Sequence, residues 1–157
     1  MTRQLMAILA GVVAVAAIVA GCGSGDDATA SLTKAEFVKQ ANAICSKGSD
    51  EINKEIQAFV KKKNAKKDAA GELTKAEISE IAATIVVPSF DAQTDQLHEL
   101  GAPSGAEDEI TAILDSFDKG VEVGERKPET LFNGKTNPFG DTAKKATEYG
   151  LEGCGQI

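Results

Sequence analysis

The residues best suited to chemistry in this 157-residue chain lie around its single histidine. His98 follows Asp95 by three residues, and an acid and a histidine at that spacing form half of the ligand set in helical di-iron centres. Since no second histidine exists, that set cannot be completed. A partly exposed histidine near a helix end, where its positive charge suits the helix dipole, explains the same residues.

Other acidic and hydroxyl-bearing segments also lack a complete site. Residues 115–120, DSFDKG, are similar to the start of a calcium loop, but Phe117 and Lys119 stand where side-chain oxygens are required. The acidic residues 107–109 suit a helix start. Ser104 fits a helix cap better than a nucleophile, because its surroundings do not match G-x-S-x-G. The sequence predicts no catalytic residue, no metal site and no cofactor, and we expect a protein that is not an enzyme.

The N-terminus carries a targeting signal. Arg3 precedes an uncharged apolar run at residues 5–20, which is shorter than the ~20 residues of a membrane-spanning helix and is typical of a secretory signal peptide. The residues VAGC at 19–22 then resemble a lipobox, the processing motif of bacterial lipoproteins. This resemblance implies that residues 1–21 are removed as a signal peptide and that Cys22 is diacylated on its sulfur.

Two alternatives to this interpretation remain. The residues ATA at 28–30 could form an ordinary A-x-A cleavage site, which would remove Cys22, although that site lies well beyond the apolar run. The apolar run could also stay uncleaved as an anchor helix. If Cys22 is diacylated, two acyl chains attach the protein stably to the membrane. Residues 22–31 then form a flexible tether of ~15–18 Å, and the domain at 32–157 lies at the extracytoplasmic face of the cell membrane.

The other two cysteines suggest a structural bond. Lipidation of Cys22 leaves Cys45 and Cys154, and an even pair in an exported protein suggests a disulfide. A redox-active thiol pair usually has close spacing such as C-x-x-C, whereas these two lie far apart in the sequence. Two buried free thiols are the other alternative.

The charge of the mature chain restricts its partners. Residues 22–157 keep sixteen basic and twenty-four acidic side chains, a net charge of −8, which argues against general nucleic-acid binding. One basic run stands out, and it could contact anionic lipid headgroups or anionic wall polymers. A solvated helix C-terminus, whose dipole suits positive charge, is the favoured explanation of the same residues. Its members are Lys61, Lys62, Lys63, Lys66 and Lys67.

The elements that position these residues begin with a repeated signal, LTKAE, at 32–36 and 73–77. In each copy the threonine can cap a helix while the glutamate three residues later reaches back to the cap amide. Apolar residues on both sides complete a hydrophobic staple. The repeat therefore predicts two helix starts and does not indicate a ligand motif.

Apolar periodicity predicts the first two helices. The first runs from residue 33 to about 63. The second starts at Thr74, is kinked at Pro88, which lacks a backbone N–H, and ends at GAP, residues 101–103. Their predicted core positions are Phe37, Ala41, Cys45, Gly48, Ile52, Ile56 and Phe59, followed by Ile78, Ile81, Ala82, Ile85, Val86, Phe90, Leu97 and Leu100.

Two further helices complete the predicted domain. The third starts with a Ser104 capping box and fades by Pro128. The fourth is capped by Asn137 and closes at Gly150. Their core positions are Ile110, Ile113, Leu114, Phe117, Val121, Phe139, Ala143, Ala146 and Tyr149. The sequence thus predicts an all-α, antiparallel four-helix bundle with a kinked second helix, preceded by a signal peptide and flexible tether, and we expect a monomer.

Three short patterns carry a wider resemblance. An aromatic-x3-Ala-x3-Cys stripe begins at Phe37, LGAP occupies residues 100–103, and YGLxxCG closes the chain from Tyr149. Together with the lipobox, these are similar to small helical bacterial lipoproteins of unassigned function. The resemblance implies an envelope location and pairing of the first and last helices, and it implies no activity.

Two functions therefore remain in view. One is a non-enzymatic envelope lipoprotein that binds an envelope protein or polymer through a face of its bundle. The alternative is a carrier or sensor of a small ligand, with a cavity near the Pro88 kink. An internal void lined by Ile85, Phe90 and Phe117 would favour the carrier, whereas a solid core with an exposed apolar patch would favour the binding face.

Overall fold

The computed structural model describes residues 32–63, 73–133 and 135–156, and all its helices lie there. The predicted signal peptide, Cys22 and the tether lie outside the described residues. No helix in the described ranges is both long enough and apolar enough to cross a membrane. The helices are α1 (Lys34–Lys63), α2 (Lys75–Ile81), α3 (Val87–Leu100), α4 (Glu107–Arg126) and α5 (Gly140–Tyr149).

Two short segments complete the path of the chain. A π-helical segment, Ala82–Val86, joins α2 to α3, and a 3₁₀ segment, Pro128–Phe132, follows α4. Because α2, the π segment and α3 continue without a break, the described part of the chain is an all-α bundle of four helices, as predicted. α3 packs against α1 and α4, and α4 packs against α5.

Both LTKAE copies start helices as predicted. The Glu36 amide donates to the Thr33 hydroxyl at 3.3 Å, and the Thr33 amide donates to the Glu36 carboxylate at 2.9 Å. Thr74 and Glu77 repeat this capping box ahead of α2. The Thr33 hydroxyl, and then its backbone amide, hold the pKa of Glu36 below its usual value. The repeat is a local folding device.

Pro88 is accommodated by a change of helical winding. In the π segment, the Val87 amide donates to the carbonyl of Ala82, five residues earlier. Proline has no N–H, and its ring crowds the carbonyl four residues before it. A π-turn inserts an extra residue into the helix just ahead of that position. The predicted kink is thus a π-turn inside one continuous helix.

The turn between α3 and α4 uses two glycines with positive φ. Gly101, at 67°, ends α3 as the GAP sequence predicted. Gly105, at 82°, reverses the chain immediately before the N-cap of α4, Ala106, which makes no side-chain cap hydrogen bond. The predicted Ser104 cap is therefore wrong, because the turn at Gly105 separates Ser104 from the helix start.

Three phenylalanine rings from different parts of the chain form the centre of the core. Phe139, just before α5, lies 4.6 Å from Phe90 of α3 and 5.5 Å from Phe117 of α4, centroid to centroid. All three rings are buried and meet edge to face, an arrangement worth about 0.5–1.5 kcal/mol per pair beyond area burial. Gly120 of α4 leaves room for this packing, because a Cβ there would lie 2.4 Å from the Phe139 ring.

The core covers only the first half of the predicted stripe on α1. From Phe37 to Gly48 its residues are buried, whereas Ile52, Ile56 and Phe59 are only half-buried. The thirty residues of α1 span ~45 Å, against ~15 Å for the ten of α5 at 1.5 Å per residue. The short α5 therefore cannot cover the whole of α1, and the apolar residues beyond Gly48 stay partly exposed.

The end of the chain folds back onto the first half of α1. Gly150 and Leu151 close α5 with a Schellman pattern, in which the Gly150 amide donates to the Thr147 carbonyl and the Leu151 amide to the Ala146 carbonyl. The Cys45 and Cys154 sulfurs then lie at disulfide distance, 1.95 Å apart. We call this contact between α1 and residues 150–154 the C-terminal seam.

Asn42 adds polar contacts to the seam. Its side-chain nitrogen donates to the Gly150 carbonyl at 3.2 Å, and its side-chain oxygen accepts from the Gly153 amide at 2.7 Å. The rings of Phe37 and Tyr149 meet edge to face 6.2 Å apart. The first half of α1 thus contacts the end of α5 at Tyr149 and the turn that follows it.

Candidate functional site

The lysines predicted to contact anionic surfaces lie at the end of α1. Residues 61–63 form its last turn and are exposed, while Lys66 and Lys67 lie outside the described residues. Lys63 is paired with Glu80 of α2. Since α1 is ~45 Å long, this basic turn is far from the start of α1, where the predicted tether joins.

An apolar groove lies where the second half of α1 meets α2 and the end of the 3₁₀ segment. It has a volume of about 400 Å³ and no charged or polar side chain in its lining, which consists of Ile56, Leu73, Ile78, Ile81 and Phe132. Phe132 is 51% exposed, and no other large apolar side chain in the described ranges is classed as exposed. We call this surface the Phe132 groove.

A second cavity continues the groove along the bundle. It shares Ile56 and Phe132 with the groove, has a volume of about 250 Å³ and extends to Phe90 and Phe139 of the core. Its other lining side chains are apolar or neutral polar. The groove and this cavity together form an uncharged surface that runs from α2 to the centre of the bundle.

A different cavity, of about 250 Å³, lies beside Pro88 between α1 and α3. Its apolar lining includes Ile44 and Ile85, and Gln93 forms part of its wall with a side chain only 2% exposed. The Gln93 amide lies against Gly48, where a Cβ would come within 2.1 Å of it. We call this the Gln93 cavity.

The hydrogen bonds of Gln93 leave one atom unsatisfied. Its Nε2 donates to the Ser89 carbonyl at 3.1 Å, while its Oε1 is buried and has no hydrogen-bond partner among the described residues. A buried carbonyl oxygen without a partner costs about 1–3 kcal/mol. Gln93 is therefore a buried polar group held between Ser89 and Gly48, with one oxygen left without a partner.

A shallower pocket, of about 220 Å³, surrounds Tyr149 at the start of α1. The Lys34 ammonium lies 4.1 Å from the centre of the Tyr149 ring. Burial, and then the charge of Glu109, raise the pKa of the Tyr149 hydroxyl. The pocket mixes two lysines with two glutamates, so its charge favours neither sign of ligand.

His98 forms a surface contact between two helices. Its Nε2 lies 3.2 Å from the Asp118 carboxylate of α4, and both side chains are about half exposed. Asp118 belongs to the DSFDKG segment considered as a calcium loop. Within the described ranges, no group of three or more His, Cys, Asp or Glu side chains is placed to hold a metal ion.

An internal void lined by Ile85, Phe90 and Phe117 would have favoured a small-ligand carrier, but the cavity beside Pro88 is lined by Ile85 without the two phenylalanines. The two phenylalanines pack against each other with centroids 6.1 Å apart. The sequence reasoning also missed Gln93 and Phe132. Gln93 has no distinctive signal in the sequence. Phe132 could have been noticed, because it is an aromatic residue in the connection between α4 and α5.

No protein-family model, curated protein or solved structure matches this chain. The geometry of its surfaces is thus the available guide to its function.

Proposed function

We propose that this chain is a non-enzymatic, lipid-anchored protein of the cell envelope that binds another envelope protein in the Phe132 groove. The observation that carries the proposal is the half-exposed Phe132 ring at the edge of a wholly apolar groove. Apolar grooves of this kind accept side chains of a partner helix or extended segment. Diacylated Cys22 would hold the protein at the extracytoplasmic face of the membrane.

The surroundings of the groove indicate the chemistry of its partner. The domain as a whole is acidic, yet the last turn of α1, which begins five residues after the groove-lining Ile56, carries lysines 61–63. Lys63 is already paired with Glu80, which leaves Lys61 and Lys62 exposed. A segment with apolar side chains followed by acidic ones is complementary to this arrangement.

A membrane surface or a wall polymer fits this arrangement less well. The groove is concave and uncharged, whereas a planar bilayer or a polyanionic chain would engage the lysines and leave the groove unfilled. The groove also lies toward the end of α1 opposite the predicted tether. We therefore commit to a protein partner, with lipid and polymer contacts as outcomes that the experiment distinguishes.

The test places a photo-crosslinking amino acid at position 132 in intact cells, with position 111 as a control. Thr111 is exposed on α4 and does not line the groove. We expect position 132 to crosslink to one protein, through a peptide rich in apolar and acidic residues, and position 111 to give no such product. The Lys61→Glu, Lys62→Glu double variant should lower the yield several-fold.

Three results would contradict the groove proposal. They are adducts to lipid or polymer only, adducts between two copies of this chain, or a crosslinking yield that is unchanged in the Lys61→Glu, Lys62→Glu variant.

The lipid anchor has its own test, because Cys22→Ser should release the processed protein from membranes while the wild type stays bound. Membrane retention of the processed serine variant would show that no lipid on Cys22 is needed.

A further inference from the structure

The π segment lies where the Phe132 groove meets the cavity that continues it, which we call the Phe90 cavity. Ile78 and Ile81 of α2 line the groove. Val86 of the π segment and Phe90 of α3 line the Phe90 cavity. One continuous helix therefore supplies wall residues to both parts of the surface. π-turns inside α-helices are frequent at functional sites, so we asked what this one does for the surface.

Helix geometry shows how the π-turn aligns these wall residues. Ile78 and Phe90 are twelve residues apart, and at ~100° per residue they would point ~120° apart in an uninterrupted α-helix. Ile81 and Phe90 are nine residues apart and would point ~180° apart. The π-turn accommodates one extra residue, which lowers the two angles to ~20° and ~80°. The extra residue therefore brings the groove residues of α2 toward the side of the helix that carries Phe90.

The packing around the π segment holds this alignment in place. Ile85, Val86 and Val87 are consecutive and all buried, whereas an amphipathic α-helix buries residues at steps of three or four. Val86 lines the Phe90 cavity. Val87 lies against α4, where a Cβ on Gly124 would come within 3.1 Å of it. Neighbours on several sides thus contact the segment.

We propose that the π-turn joins the Phe132 groove and the Phe90 cavity into one binding surface that takes two apolar side chains from a single segment of the partner. The inference rests on the proposed function for the identity of that partner. The two parts share Ile56 and Phe132, and no charged side chain among the described residues lines either part. The Phe90 cavity, at about 250 Å³, is smaller than the ~300–1,000 Å³ of sites for drug-sized ligands, so it suits one side chain.

The first test compares two photo-crosslinking positions in intact cells. Position 132 probes the groove. Position 53 probes the Phe90 cavity, because Asn53 is exposed and lines that cavity but not the groove. We expect both positions to capture the same protein through residues of one short segment. Capture at 132 without capture at 53, or capture of distant segments, would overturn the joined surface and leave the groove proposal intact. Capture at neither position would overturn both proposals.

The second test removes the extra residue by deleting Ala83, which is exposed in the π segment. Because α3 packs against both α1 and α4, the seven-residue α2 should turn by ~100° relative to it. Glu77 and Glu80, each one position earlier, then take the places of the two isoleucines in the groove. Capture at position 132 should fall about tenfold or more, since a charge in an apolar site is costly. The control Ala83→Ser keeps the residue count and should stay within about twofold of wild type.

A rescue variant separates alignment from a general loss of structure. Adding Glu80→Ile to the Ala83 deletion returns an apolar side chain to the place of Ile81, and it should recover most of the capture at position 132. Unchanged capture in the deletion variant, equal losses in Ala83→Ser, or no recovery in a rescue variant that melts like the wild type would refute a role for the π-turn. If the deletion prevents folding, the comparison of positions 53 and 132 in the wild-type protein still decides.

Discussion

The two halves of α1 meet very different surroundings. The first half is held in the C-terminal seam by the Cys45–Cys154 pair and the hydrogen bonds of Asn42, and the ring contact between Phe37 and Tyr149 lies beside it. The second half faces the Phe132 groove, where Ile56 remains half-buried. A single apolar stripe thus serves folding at one end and leaves surface open at the other.

This contrast separates residues that hold the fold from residues that can bind. Contacts in the seam join parts of the chain that are far apart in sequence, and the disulfide among them also restricts the unfolded chain. Contacts around the groove are apolar and incomplete, and an exposed apolar surface commonly marks an interaction site. Substitutions in the seam should therefore change stability, and those around the groove should change binding.

The largest expected effect comes from breaking the Cys45–Cys154 link. A disulfide closing a loop of ~100 residues stabilises a protein by up to ~4.7 kcal/mol in the chain-entropy model. We expect Cys154→Ser to lower the melting temperature by roughly 10–20 °C, given ~2–4 °C per kcal/mol for chains of about this length. Thermal unfolding followed by circular dichroism measures this change.

Reduction of the wild-type protein serves as the control for this substitution. It should lower the melting temperature by the same amount, and reduction of the variant should have no further effect. Mass spectrometry of protein taken from the envelope should show neither thiol free. Finding both thiols free would remove the covalent part of the contrast between the two halves of α1.

A pair of phenylalanine substitutions tests the contrast next. Phe117 is fully buried among aromatic rings, and Phe117→Ala should cost about 3–5 kcal/mol because it leaves a cavity. Phe132 is half exposed, and Phe132→Ala should cost about 1 kcal/mol or less. Denaturant unfolding gives both values, and similar costs for the two would mean that Phe132 belongs to the core.

Asn42→Ala should have an intermediate effect. It removes two hydrogen bonds between α1 and the C-terminal turn, each worth about 0.5–1.5 kcal/mol. Asn53→Ala, at an exposed site on the same helix, is the matched control and should change stability by about 0.5 kcal/mol or less. If the two variants unfold at the same denaturant concentration, the polar contacts of the seam contribute nothing measurable.

The sequence predicted the helices well because their signals are local. Both LTKAE capping boxes, the positive-φ stop at Gly101 and the Schellman end at Gly150 depend on neighbouring residues. The Ser104 cap failed because the S-x-x-E pattern is also compatible with a turn at Gly105, and only the path of the chain selects between them.

The candidate sites were much less predictable. An apolar stripe on α1 indicates which face is inward, but it does not show how far neighbouring helices extend to cover it. That extent depends on tertiary packing, so Ile52 and Ile56 were expected in the core. The unpartnered oxygen of Gln93 depends on the approach of Gly48 from another helix, and the spacing of residues along α3 gives no sign of it.

The smallest effect on stability is expected for the lysine run. Replacing Lys61, Lys62, Lys63, Lys66 and Lys67 with glutamine should shift the free energy of unfolding by about 1 kcal/mol or less. Exposed ion pairs such as Lys63–Glu80 contribute roughly 0–1 kcal/mol.

Binding should respond more strongly than stability to the same replacement. If the run contacts anionic surfaces, the variant should bind anionic vesicles or wall fragments less than the wild type at low salt, since each lysine near such a surface adds ~1 kcal/mol. A cosedimentation assay at two salt concentrations measures this, because screening weakens exposed charge interactions. Equal binding by both proteins, or none by either, would leave the run as a solvated helix end and would restrict recognition at this end of α1 to the Phe132 groove.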